Sequence, residues 1–95
     1  MTKPEKKKQI KQMISDFFKA TDHTILTELR NTIYNEIGRL PMSSNDKHTL
    51  EEDMYLWTYN SDRYIENIKK DSLRANVTND FSSMLKIIDV SLLGN

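Results

Sequence analysis

The residues able to do chemistry in this chain are few and scattered. His48 stands four positions before Glu52, a spacing that brings two metal-ligand types onto one helix face if the helix starts early. Two ligands do not hold a metal ion, and His23 is far away in sequence. Glu51, Glu52 and Asp53 are accounted for by a helix start, where negative charge meets the positive end of the macrodipole. Paired carboxylates acting as acid and base need an apolar setting to separate their pKa values, and no apolar run surrounds these. Ser, His and Asp all occur as types, but no nucleophile turn groups them. The chain has no cysteine, so it lacks a thiol nucleophile, a disulfide framework and a cysteine zinc site. No Gly-rich loop is present to cradle a phosphate. The expectation is a protein that is not an enzyme, with no catalytic residue, no metal site and no cofactor.

Binding chemistry is better supplied. The only tryptophan and three of the four tyrosines fall between Tyr55 and Tyr64, and aromatic groups carry the largest buried area per residue in cores and interfaces alike. On a helix, Tyr55 and Tyr59 share one face while Leu50, Met54 and Trp57 occupy another. A helix with apolar groups around that much of its circumference is either enclosed by its own bundle or leaves surface for another molecule. Tyr55, Trp57, Tyr59 and Tyr64, continued by Ile65 and Ile68, are therefore the candidate partner-binding positions. The partner expected is a protein.

A second candidate is basic. Residues 1–19 hold six lysines against two acidic residues, net +4, and the remainder carries eight positive and twelve negative charges, net −4. Lys6, Lys7, Lys8 and Lys11 form the centre of this patch, which could steer the chain to phosphate backbones, anionic lipid or an acidic protein. No arginine fork or interleaved aromatic accompanies the lysines. A solvated helix face is expected, and specific nucleic-acid binding is not. Over the whole chain Lys plus Arg equals Asp plus Glu at 14 each, so no global field draws it to nucleic acid or acidic membrane.

The elements that must position these groups are helices. A chain of 95 residues is one domain with one modest core, spanning 1–95 with residues 1–8 expected to fray. Pro4 suits a first helical turn, after which Ile10, Met13, Ile14, Phe17 and Phe18 recur as one apolar stripe. Thr21 to Thr24 offers capping oxygens for a second helix on which Leu26, Leu29, Ile33, Ile37 and Leu40 share a face. Gly38, in the left-handed conformation, and Pro41 are expected to end it. Met42 to His48 reads as a connection, with a third helix capped by the Thr49–Glu52 box or, if longer, by Ser44 or Asn45.

Further along, Asn60-Ser61-Asp62 predicts a break and a cap for a fourth helix carrying Tyr64, Ile65, Ile68, Leu73 and Val77. A further break falls at Asn76 to Asp80. Phe81, Met84, Leu85, Ile88 and Leu92 form a last stripe, widened by Ile87, Val90 and Leu93. No repeat, alternating strand pattern or Gly-containing hairpin turn appears. The fold predicted is all-α, a compact bundle of four or five amphipathic helices, with Ile14, Phe17, Leu29, Ile33, Ile37, Ile68, Leu85 and Ile88 buried. No apolar run approaches the ~20 residues of a membrane span, and no signal peptide is visible. A cytoplasmic location is the default, and the Asn76-Val77-Thr78 glycosylation triplet is then idle.

The run Leu50-Glu51-Glu52-Asp53-Met54-Tyr55, followed by Asn60, Asp62, Tyr64, Ile65 and Ile68, resembles the last two helices of KIX domains. These are coactivator modules that take up short amphipathic activation segments. More loosely it is similar to the central helical domain of transcription elongation factor S-II, which docks on RNA polymerase. The resemblance covers about twenty residues of aliphatic, acidic and aromatic type at helical spacing. It implies a groove lined by Tyr55, Tyr64, Ile65 and Ile68, and a nuclear location. The first half of the chain departs from a KIX start, a helix after Val77 is not expected there, and the lack of cysteine removes the elongation factor's zinc ribbon. The competing class is a bacterial or phage immunity-type bundle that neutralises a toxin or host factor. The initiator Met and an end soon after the last apolar stripe fit such a small free-standing protein. All these readings converge on a non-enzymatic interaction module or inhibitor.

Overall fold

The periodic apolar stretches become four α-helices in the computed structural model, which describes residues 2–93. They are α1 (Lys3–Lys19), α2 (His23–Gly38), α3 (Ser44–Glu66) and α4 (Asp71–Ser91), and the described residues contain no strand. Thr2 caps α1, its hydroxyl accepting from the Glu5 amide, with Pro4 in the first turn. Asp22, within the expected capping run, does the same for α2 through the Ile25 amide at 3.0 Å. The α1 helix takes in residues 3–8, the stretch expected to fray; Met1 lies outside the described residues.

The start of α3 differs from expectation. The α3 cap is Ser43, whose hydroxyl accepts from the Asp46 amide and donates to the Asp46 carboxylate at 2.8 Å. Ser43 and Asp46 thus bond each other at the helix start, though the carboxylate returns to the hydroxyl and not to the Ser43 amide as a capping box requires. Thr49 lies inside the helix, with its hydroxyl donated back to the Asn45 carbonyl. α2 ends at Gly38 as expected, but the cap after it, Arg39, has right-handed φ −92° and ψ −4°, so the end is closed without a left-handed glycine.

The largest difference is that Asn60-Ser61-Asp62 does not break the chain. Ser61 is fully buried and donates to the Trp57 carbonyl at 2.7 Å, which satisfies its hydroxyl inside a helix. Asn60 reaches Asp80 on α4, and Asp62 pairs with Arg30 on α2. With each polar group bonded in place, α3 runs on for 23 residues. The second expected break, at Asn76 to Asp80, is absent for the same reason: Thr78 donates to the Arg74 carbonyl, and Asp80 accepts from Asn60. The real junction is Asn67 to Lys70, where the Lys70 amide donates to the Asn67 carbonyl.

Short connections make neighbouring helices antiparallel, and cross-ties fix the register. Lys7 near the start of α1 bonds Asp89 near the end of α4, at 3.4 Å to its carboxylate and 3.1 Å to its carbonyl. At the other end Arg74 of α4 sits 4.7 Å over the Phe18 ring of α1. The Leu93 amide donates to the Pro41 carbonyl at 2.8 Å, seating the end of the chain on the α2–α3 connection. α1 packs on α2 and α4, and α3 packs on the same two. α1 and α3 therefore stand diagonally, and their solvent faces point apart.

The core is aromatic at its centre. Phe17 meets Tyr64 and Phe81 with ring centroids 5.5 and 6.0 Å apart, and Trp57 meets Phe81 at 5.3 Å, mostly in the edge-on or tilted arrangements that aromatic quadrupoles favour. Phe17, Ile33, Ile37 and Ile88 are buried as expected, while Ile14, Leu29, Ile68 and Leu85 are half-buried and pack against the edge of this cluster. No described helix is long and apolar enough to cross a bilayer.

Candidate protein-binding surface between the second and third helices

Because α3 is one continuous helix, its side chains divide cleanly by angle around a single axis. Leu50, Met54, Trp57, Ser61, Tyr64 and Ile65 form the buried face. Tyr55 and Tyr59, one turn apart, form the opposite one and are 82% and 58% exposed; Leu56 beside them is 50% exposed. Of the expected anchors, then, the structure brings only Tyr55 and Tyr59 to the surface together. Trp57 and Tyr64 are 0% and 1% exposed and Ile65 is buried, so these three side chains are core and reach no partner; Ile68 is half-buried in the α3–α4 junction. The groove that the KIX resemblance implies thus has only Tyr55 facing solvent fully.

The missing half of the surface comes from α2. Tyr34, 45% exposed, stands across from Tyr55 over a groove of about 420 Å³. Arg30, Tyr34 and Gly38 form one wall, and Glu51, Met54, Tyr55 and Thr58 form the other. Arg30 ties the walls together through Asp62 at 3.2 Å, and Gly38 leaves its part of the α2 wall open, since a Cβ there would meet nothing within 4 Å. Arg63 lies 5.7 Å from the Tyr59 ring centroid, a cation–π distance that orients the ring on the helix surface. Tyr34, Leu56 and Arg30 were not singled out in the sequence. A signal existed for Tyr34 and Leu56: each is a large apolar group off the apolar stripe of its own helix, and for a surface position that is the informative case.

The other candidates do not assemble. His48 and Glu52 do meet, at 3.5 Å, as an exposed pair one turn apart. Among the described residues no three His, Asp or Glu side chains converge on a point where a metal could sit. Of the basic patch, Lys7 is engaged by Asp89, Lys6 lines a cleft with Arg39 and Glu36, and Lys8 and Lys11 face solvent. One carboxylate is perturbed. Burial lifts the pKa of Asp80 above the ordinary Asp value, the Asn60 hydrogen bond opposes this, and the Asp53 charge adds to it. Asp80 lies in the α3–α4 interface, away from the tyrosine groove, and acts as a structural group there.

The chain matches no known protein family, no curated protein and no solved structure.

Proposed function

We propose that this chain is a small non-enzymatic interaction module that takes a protein partner on the aromatic surface of α2 and α3. The observation that carries the reading is the exposure of Tyr55 and Tyr34 on the two walls of one groove, with Tyr59 exposed one turn along α3 from Tyr55, while Phe17, Trp57, Tyr64 and Phe81 are buried. Clustered exposed apolar groups on a small protein mark interaction sites, and tyrosine is among the commonest anchors of binding energy. The reading holds alike for an immunity-type inhibitor of a toxin or host factor and for a transcription-associated binding domain. The identity of the partner separates those settings.

The test is capture of partner from the native host by the wild-type chain and by a Tyr55→Ala, Tyr59→Ala double variant, with denaturant unfolding measured on the same samples. The variant keeps its folding stability to within about 1 kcal/mol, because both side chains are exposed, and loses ~2 kcal/mol or more of binding. Gly38→Leu gives a second handle, since Gly38 lines the groove and a Cβ there meets nothing within 4 Å. A stable double variant that captures the same partner undiminished would remove this surface from consideration and leave the lysines of α1 as the next site.

A further inference from the structure

Resting on the surface just described, we infer that its occupant is a basic amphipathic helix of about four turns, supplied by another protein. The charge pattern along α3 carries this. From Glu51 in the groove wall to Glu66 at the end of α3, its exposed charged residues are Glu51, Glu52, Asp62 and Glu66 against Arg63 alone. They lie at the two ends of the tyrosine stripe, Glu51 and Glu52 in the turn before Tyr55, Asp62 and Glu66 in the turns after Tyr59. Asp62 is paired with Arg30 and Glu52 with His48, the latter ionic only when the imidazole is protonated. Among the described residues Glu51 and Glu66 have no ion-pair partner.

A ligand that lies along α3 over Tyr55 and Tyr59 and continues past each end of the tyrosine pair brings its own ends beside those two carboxylates. They are fifteen positions apart, about 22 Å along a helix axis at 1.5 Å per residue, which is the length of a helix of roughly 16 residues. Cations at both ends complement the carboxylates; anions there place like charges together as the interface loses water. A helix fits because the site is a furrow between two antiparallel helices, into which the ridge of a third packs, and the described residues offer no sheet edge for strand addition. A second copy of this chain is a poor occupant. Its cationic segment, α1, turns Ile10 and Phe17 into its own core and presents chiefly lysine and glutamine outward, so it brings charge without apolar anchors.

The experiment uses the full chain and three synthetic helical peptides of equal length sharing one Leu/Phe stripe, with Lys, Gln or Glu at both ends. Amide chemical shifts locate binding, and anisotropy of labelled peptide measures it at two salt concentrations. The Lys peptide is expected to shift Tyr34, Tyr55 and Tyr59 and to bind at least about tenfold more tightly than the Gln peptide, less so at high salt. Glu51→Gln with Glu66→Gln is expected to abolish that advantage while leaving the Gln peptide unaffected. Equal binding of Lys and Gln peptides at these tyrosines overturns the basic partner and leaves the binding surface standing. Peptide binding elsewhere, or indifference of every peptide to Tyr55→Ala with Tyr59→Ala, overturns both. Self-association with shifts at the same tyrosines overturns the inference in favour of a second copy.

Discussion

Asn60 on α3 donates its side-chain amide to the Asp80 carboxylate on α4 across 2.7 Å, linking the midsection of one helix to that of the next. Asp80 is 9% exposed, so few water molecules can replace the bond if it is lost. Truncating one partner of such a pair leaves the other desolvated. Asn60→Ala is expected to cost about 1–2 kcal/mol of folding stability by urea unfolding. Asn60→Asp, which adds a third carboxylate to Asp80 and Asp53, is expected to cost more. A neutral effect of Asn60→Ala would show that the bond contributes no net stability.

The same carboxylate predicts a pH dependence. Burial is the main cause that raises its pKa, so the folded chain holds the Asp80 proton more tightly than the unfolded chain, whose Asp titrates near 3.8. The unfolded state therefore releases its proton first as pH rises. The contribution of Asp80 is most favourable below 3.8 and is lost as the pH climbs through the raised folded value. Asp80→Asn retains an acceptor for Asn60 and removes the charge. Its stability relative to wild type is expected to improve as the pH rises from below 3.8 through the raised folded value and to level off above it. A difference independent of pH would contradict the assignment.

The aromatic residues of α3 separate into two energetic classes. Tyr64→Ala opens a cavity beside Phe17 and Phe18, and is expected to cost roughly 3–5 kcal/mol. Tyr55→Ala, at an 82% exposed position, is expected to change stability by less than about 0.5 kcal/mol. Thermal and denaturant unfolding of the two variants checks the division without any partner in hand.

Helix starts can be tested in the same way. Ser43→Ala removes the hydroxyl that serves the Asp46 amide, and is expected to cost about 1 kcal/mol. Thr49→Ala removes only a back-bond to Asn45, and is expected to fall within about 0.5 kcal/mol of wild type. The reverse order would move the start of α3 to Thr49.

Gly38→Ala is expected to stabilise the chain by about 0.5 kcal/mol or more, since glycine is a poor helix former and its backbone here needs no left-handed conformation. The added methyl meets nothing within 4 Å. A loss of stability on calorimetry would show that the end of α2 requires glycine for a reason other than space.

What the sequence determined by itself is that the chain is helical and which apolar stripes turn inward. Ile33 and Ile37, or Leu50, Met54 and Trp57, fall on one face through the 3.6-residue period alone, and burial of that face follows from local chemistry. The α2 cap was legible for the same reason, Asp22 acting on an amide three residues away. The tertiary structure decided the fate of the polar residues inside the pattern. Asn60, Ser61 and Asp62 are cap formers in isolation; they stay helical because Asp80 and Arg30 arrive from other helices and because a buried Ser61 bonds its own backbone. It also decided which aromatics face water and which pack. Tyr55 and Trp57 are two residues apart, so they point to nearly opposite sides of α3, and only the positions of α2 and α4 determine which side meets protein and which meets water.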